Sequence, residues 1–232
     1  MSSQFSWIRI LLLILLILFL LWLLRQCGVV GPSSGAQGKR VFVSSQLYDG
    51  NFGAGQKVVG YPMADQRCQT LAQQAGLSGN YKAWISGRVD TGAGPLPHGV
   101  VNRFAQSSGP YELVNHTKVA DNWADLIDGS LDHAIDLTEQ GTPVGSEARV
   151  WTNTTTAGLA WDNARQCAAG ISSDEAGGMW TWTCGAPGWT AGDCRFQSGK
   201  YGDAHSTSGS WTGTANSNTG CDAALRLYCF EQ

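Results

Sequence analysis

Charged side chains are scarce in this chain. Only 14% of its 232 residues are Asp, Glu, Lys or Arg, and the formal net charge is −3. Proteins that bind nucleic acid or heparin need a surplus of Lys and Arg, so this balance gives no electrostatic basis for either partner. A low charge combined with 30 Gly and 10 Trp is instead typical of loop-rich β proteins that work outside the cytoplasm.

Motifs that carry catalysis or hold metals are also missing. The sequence has no His-Glu-x-x-His zinc motif, no Gly-rich phosphate loop and no Cys-x-x-Cys pair. The histidines are scattered, without the tight spacing of metal ligands: His98, His116, His133 and His205. We therefore expect no cofactor and no enzymatic activity.

The longest apolar run, Ile10–Leu24, lies near the N-terminus. As a helix it would span roughly 22 Å, short of the ~30 Å hydrocarbon core of a bilayer. Arg9 can extend its charge toward the lipid head groups, and Trp7 and Trp22 suit the two interfaces. Residues 1–24 are therefore predicted to form an uncleaved signal anchor that spans the membrane. A cleaved signal peptide, lipidation at Cys27 and a buried oligomerising helix remain open alternatives.

The cysteines indicate on which side of the membrane the rest of the chain lies. Six of the seven lie beyond residue 40, an even number that suits disulfides, and stable disulfides need an oxidising compartment. The Lys and Arg residues around the apolar run favour the opposite orientation, but a long domain can be translocated whatever its flanking charge. We expect a Gly/Ser-rich linker over residues 25–39 and one domain over residues 40–232, on the periplasmic or extracellular side.

Hydrophobic patterns predict four strands and two helices within this domain. The first helix follows Pro62, turns Cys68 inward and stops at Gly76, and the second is short, over Asp121–Gly129. Residues 185–220 are dense in Gly, Ser, Thr and Asn and are expected to form one long loop region. The strands are predicted at Arg40–Ser45, Tyr81–Ser86, Ala148–Thr152 and Leu225–Phe230.

The domain cysteines are expected to pair with one another. Cys229 lies three residues from the C-terminus, where a strand frays unless it is tied down, and Cys68 on the first helix is its natural partner. The other four could pair as Cys167–Cys221 and Cys184–Cys194. Because six cysteines allow 15 connectivities, the spacing alone leaves the pairing open.

Five segments carry a family resemblance: VFVSS, ADQRCQTLAQQAGLSGNYKAWIS, ADNWADLIDG, VWT and the terminal LYCFE. In this order they resemble a bacterial surface-protein domain of unknown function, which is similar to the endostatin module of certain collagens and to the C-type-lectin-like fold. The resemblance covers residues 40–232 and implies an α+β, disulfide-bonded, endostatin-like domain. It also implies nested disulfides, Cys68–Cys229 outside and Cys167–Cys221 inside, with Cys184–Cys194 extra to the family core.

The ligand sites of these relatives do not carry over to this chain. Sugar-binding C-type lectins hold Ca²⁺ with a Glu-Pro-Asn or Gln-Pro-Asp loop and a Trp-Asn-Asp strand, and none of these motifs occurs here. The zinc site associated with endostatin uses N-terminal histidines, but no histidine precedes His98.

One acidic stretch raises the question of a calcium site. It contains no Lys or Arg, but it lacks the spacing of an EF-hand loop. A solvated acidic surface is therefore expected, and a metal site is the alternative. The carboxylates are Asp121, Asp125, Asp128, Asp132, Asp136 and Glu139.

Aromatic residues in and beside the glycine-rich region are the predicted ligand or partner contacts. Flat aromatic faces stack on sugars and anchor protein interfaces. Trp180 and Trp182 flank Cys184 with period two and are expected in the core, whereas Trp189, Tyr201 and Trp211 are predicted to contact the ligand or partner.

Two functions are consistent with these features. In the first, the chain is a membrane-anchored C-type-lectin-like module that recognises a glycan or a protein ligand without catalysis. In the second, it is a structural accessory subunit of a multi-protein membrane complex, such as a photosynthetic or respiratory assembly, with the apolar helix among other spans and the domain capping them outside.

Overall fold

The computed structural model describes residues 7, 11–19, 38–50, 52, 61–90, 95–161 and 198–232. The chain divides into two units, Met1–Gln37 and Gly38–Gln232.

Helical structure in the N-terminal unit is described at residue 7 and at residues 11–19, all of them exposed. Within the described part of the chain, no helix combines the length and the apolar character needed to cross a membrane. This finding overturns the predicted transmembrane anchor at residues 1–24 and the signal-anchor interpretation. It also overturns the expected membrane-anchored localisation on the periplasmic or extracellular side, because that localisation depended on the anchor.

The described part of the C-terminal unit contains ten short strands. Eight form one mixed sheet, in the order β6-β5-β1-β10-β7-β8-β9 with β2 paired to β10, and β3 and β4 form a separate hairpin. The strands are β1 (Lys39–Val43), β2 (Tyr81–Ala83), β3 (Gly87–Asp90), β4 (Pro95–His98), β5 (Tyr111–Leu113), β6 (Lys118–Ala120), β7 (Arg149–Trp151), β8 (Ser198–Asp203), β9 (Asn218–Gly220) and β10 (Arg226–Glu231).

The C-terminal strand β10 lies at the centre of this sheet. It pairs antiparallel with β1 and β2 and parallel with β7, and four consecutive residues, Leu227–Phe230, are completely buried. Continuous burial is expected of a central strand that is covered on both faces. The last strand is therefore held by backbone hydrogen bonds as well as by its cysteine.

Side-chain alternation along β1 and β10 divides the interior into two clusters. Val41 and Phe230 belong to a cluster on one face that is rich in aromatic rings, whereas Phe42 and Cys229 belong to the cluster on the other face. Successive strand residues point to opposite faces, so each strand supplies both clusters. Trp84 lies at the centre of the aromatic cluster, with its ring centroid 4.9 Å from that of Trp211 and 5.1 Å from that of Phe230.

Two α-helices are described in this unit: α1 (Tyr61–Gln74) and α2 (Trp123–Leu126). Helix α1 buries Cys68, Leu71 and Ala72, at the spacing that places them on one face. After it ends, Gly76 adopts a φ of +72°, a left-handed conformation that favours glycine. Asn122 caps α2 by accepting hydrogen bonds from the backbone N–H groups of Ala124 and Asp125.

A partly buried ion pair attaches α1 to the chain that follows β4. The Arg103 guanidinium donates to Asp65 Oδ1 at 2.6 Å and lies 4.1 Å from the ring centroid of Tyr61. The Tyr61 hydroxyl in turn is 3.1 Å from His98 Nδ1. Burial, and secondarily the Arg103 charge, lower the pKa of His98.

The disulfide between Cys68 and Cys229 joins α1 to the central strand. Its Cα atoms are 5.3 Å apart, and both cysteines are completely buried. Cys221 is also disulfide-bonded. Cys167, Cys184 and Cys194 lie outside the described residues, as do Trp180 and Trp182.

The expected C-type-lectin-like, endostatin-like fold with a transmembrane helix is wrong. The structure is a mixed sheet of eight strands with few helices. The expectation also failed within residues 185–220, where the described part contains β8, a 3-10 helix at Gly209–Trp211 and β9 instead of a continuous loop. Polar residues form these strands because each lies against an existing neighbour, β8 on β7 and β9 on β8.

Candidate functional site

An open cleft of about 430 Å³ lies beyond the end of β7, between two polar loops. We call it the hydroxyl cleft. One loop follows β7 over residues 153–161, and the other follows β8 over residues 206–214. The cleft is lined by Thr155, Thr156, Trp161, Ser208, Gly209, Ser210, Gly213 and Thr214.

The first loop turns back on itself like a small hairpin. Thr154 pairs antiparallel with Ala160, and the backbone N–H of Trp161 donates to the Asn153 carbonyl at 3.2 Å. Gly158 makes the turn with a φ of +72°, which side-chain-bearing residues rarely adopt. This return places the Trp161 indole in the wall of the cleft, beside the hydroxyls of Thr155 and Thr156.

The second loop brings serine hydroxyls to the opposite wall. The hydroxyl oxygens of Ser206, Ser208 and Ser210 lie 2.7–3.1 Å from one another. Gly209 stands between the two wall serines, and a Cβ there would lie 3.0 Å from the Thr156 methyl group. A side chain at this position would therefore crowd the wall across the cleft.

Buried hydroxyls below the cleft hold the two loops together. Thr212 Oγ1 accepts from the Trp84 indole N–H at 2.7 Å and donates to the Thr154 carbonyl at 3.1 Å. The Thr152 hydroxyl donates to the Thr212 carbonyl. Ser86 Oγ lies 2.9 Å from Thr154 Oγ1. Because buried hydrogen-bonded groups are costly to separate, this network fixes one loop against the other.

Lys200 on β8 supports Trp161. Its ammonium lies 4.6 Å from the centroid of the indole ring, within the range of a cation–π interaction. The ammonium also donates to the carbonyls of Thr214 and Ala215 and to Asn218 Oδ1, at 2.8–3.2 Å. Lys200 is only 4% exposed, and burial lowers its pKa. The three acceptors favour the charged form, and they use all three of its donors.

The predicted contact residues do not meet in this cleft. Trp189 lies outside the described residues. Tyr201 is half-buried, does not line the cleft, and has the Arg149 guanidinium 5.7 Å from its ring centroid. The predicted contact at Trp211 is wrong, because its side chain is completely buried in the aromatic cluster. Its neighbours Ser210 and Gly213 line the cleft.

Trp161 was missed because it stands at the end of a polar segment with no regular period. One signal was available: the run Thr154–Thr156, a turn glycine at Gly158 and an aromatic residue three positions later. Polar residues around a turn glycine predict a tight loop, which would have placed the aromatic residue beside the threonines.

The acidic stretch forms a surface ion-pair cluster. Oxygen atoms of Asp121, Asp125 and Asp132 lie within 4.8 Å of one another, and this is the sole group of three potential metal ligands among the described residues. The Lys118 ammonium lies within the cluster, 2.5 Å from Asp121 Oδ1 and 2.9 Å from Asp132 Oδ2. The hydrogen bonds that the Lys118 ammonium donates to these two carboxylates raise its pKa. A cation from the protein itself therefore offsets part of this negative charge.

Comparison with known proteins adds no further assignment. No protein-family model matches the chain, and no curated protein matches it.

Proposed function

We propose that this chain is a non-enzymatic binding module that recognises a glycan in the hydroxyl cleft. The observation that carries the proposal is the combination of an indole ring with five side-chain hydroxyls, from Thr155, Thr156, Ser208, Ser210 and Thr214, around one open cleft. Sugars present one apolar face of C–H groups and a rim of hydroxyls. An aromatic face and short polar side chains match these two surfaces.

The support of the cleft favours binding with little rearrangement. Its two walls are joined by the buried hydrogen bonds of Thr212, and its aromatic residue is held by Lys200. A site whose side chains are already positioned loses less conformational entropy when a ligand binds. An open, shallow cleft suits one or two sugar units of a longer chain.

The chemistry of the walls favours binding over catalysis. Among the described residues that line the cleft, none carries an imidazole, thiol or carboxyl group. General acid–base catalysis usually depends on such groups, and a Ser or Thr nucleophile usually needs an adjacent general base to activate it. The hydroxyls and the indole act as hydrogen-bonding and stacking groups.

The proposal is tested by measuring glycan binding with the full-length protein. Immobilised neutral polysaccharides and glycan conjugates should retain the native protein. Trp161→Ala should weaken the best interaction roughly tenfold or more, as expected for an aromatic anchor, and Trp161→Phe should retain part of the affinity. Leu159→Ala is the matched control, because Leu159 belongs to the same loop, is 53% exposed and does not line the cleft.

Two results would overturn the proposal. The first is that the native protein binds no glycan and binds a protein ligand instead, with an affinity that Trp161→Ala leaves unchanged. The second is glycan binding that Leu159→Ala and Trp161→Ala reduce equally, because binding would then not depend on the cleft.

A further inference from the structure

We infer that the hydroxyl cleft takes uncharged sugar units and discriminates against units that carry a protonated amine, and that Lys200 is the residue responsible. This inference rests on the proposed function and specifies the class of glycan. Lys200 acts through Trp161 and is therefore a positioning and specificity-determining residue, without touching the ligand.

The position of the Lys200 ammonium relative to the indole determines which sugars the cleft accepts. It lies 4.6 Å from the indole centroid, but Lys200 is almost completely buried and does not line the cleft. The ammonium therefore faces Trp161 from the protein side. A sugar that stacks on the indole in the cleft would place its atoms about 4 Å from the ring. A positive group on that sugar would then lie roughly 8 Å from the buried ammonium.

Electrostatics at this distance oppose a cationic ligand. An aromatic ring attracts cations because the electrostatic potential at its faces is negative. At Trp161 the nearby positive charge of Lys200 offsets this negative potential. Across a partly buried site the repulsion between two positive charges roughly 8 Å apart is not fully screened. A neutral hydroxyl or acetamido group is not repelled by the Lys200 charge.

The remaining donors and acceptors of the cleft do not offset this repulsion. The described side chains that line it are hydroxyl-bearing or aromatic, so none offers a carboxylate to a ligand ammonium. The donors of Lys200 are used by Thr214, Ala215 and Asn218, and they hold the second loop in place.

The test uses polymer conjugates that display glucose, galactose or mannose, each beside its 2-amino-2-deoxy counterpart at a pH where the amine is protonated. The native protein should bind the neutral conjugate of the best pair roughly tenfold more tightly than the cationic one. Lys200→Met keeps the apolar stem and removes the charge, so the ratio of the affinities for the neutral and the cationic conjugate should fall toward one. Lys200→Arg should retain it. Lys118→Met is the matched control, since the Lys118 ammonium is paired with Asp121 and Asp132 and does not line the cleft.

A second measurement needs no variant and applies even if Lys200→Met does not fold. Raising the salt concentration should reduce the preference of the native protein, because added ions screen the repulsion. A preference that salt leaves unchanged would indicate a steric cause and overturn the inference. Equal binding of neutral and cationic conjugates would overturn it as well, while leaving the proposed function intact. Absence of binding to every conjugate and glycan would instead overturn the proposed function itself.

Discussion

At the residue scale, two tryptophans in polar loops have opposite roles. Trp211 contacts Trp84 and Tyr228 in the interior, with ring centroids 4.9 and 5.7 Å away. Trp161 is partly exposed in the wall of the hydroxyl cleft. The difference lies in the backbone around them, since Trp211 belongs to a 3-10 helix that turns the indole toward the sheet and Trp161 ends a hairpin-like loop.

Truncation of these two side chains should therefore have different consequences. Trp211→Ala should lower the free energy of unfolding by about 3–5 kcal/mol, the usual cost of removing a large buried aromatic side chain. Trp161→Ala should cost much less stability and should abolish most glycan binding. Urea denaturation followed by circular dichroism measures the first effect. A Trp211 variant as stable as the native protein would show that this side chain is not in the core.

His98 should make the stability of the fold depend on pH. Its pKa is lowered in the folded state by burial and by the nearby Arg103 charge, with Tyr61 and Asp65 as the other ionisable groups of this cluster. The unfolded chain therefore binds a proton more readily near the ordinary histidine pKa of about 6.5. Stability should be fully present above about pH 6.5 and should fall as the pH drops below it.

Thermal unfolding across this pH range tests the prediction. His98→Gln should flatten the decline, because glutamine does not take up a proton. His116→Gln is the control variant, since the His116 side chain is exposed and lies outside this cluster. Identical profiles for the native protein and His98→Gln would refute the assignment.

At the scale of elements, the packing of the two loops depends on one buried hydroxyl. Thr212→Val keeps the shape of the side chain but removes the acceptor for the Trp84 indole and the donor to the Thr154 carbonyl. The variant should lose about 1–3 kcal/mol of stability, because both buried groups become unsatisfied. Thr214→Val is the control for stability: Thr214 is exposed in the cleft wall and should affect glycan binding alone. Equal stabilities of the two variants would argue against the network.

The sequence predicted those elements in which a local pattern and burial agree. Helix α1 was recognised from Cys68, Leu71 and Gly76, and strand β10 from its alternating aromatic and aliphatic residues. The short polar strands β8 and β9 were missed because they owe their conformation to neighbouring strands and not to their own residues. The cleft was missed for the same reason, since its walls are distant in sequence and are joined by Thr212.

At the scale of the whole molecule, the Cys68–Cys229 disulfide closes most of the folded unit into one loop. The two cysteines are separated by 161 positions. Cross-linking so long a loop lowers the entropy of the unfolded chain, by up to about 5 kcal/mol in the chain-entropy model. Replacing both cysteines with alanine should lower the denaturation midpoint in urea accordingly. Non-reducing peptide mapping should recover this pair from the native protein, and two free thiols at these positions would contradict the structure.

The indole N–H resonances of the ten tryptophans can show whether Trp161 forms the aromatic surface of a glycan site. Each resonance can be assigned with single Trp→Phe variants and followed by nuclear magnetic resonance while the best-binding neutral oligosaccharide is added. The Trp161 resonance should shift progressively to saturation, whereas those of the buried residues Trp84 and Trp211 should stay nearly constant. If a saturating glycan shifts the resonances of other tryptophans and leaves that of Trp161 unmoved, the glycan binds elsewhere and Trp161 is not part of the site.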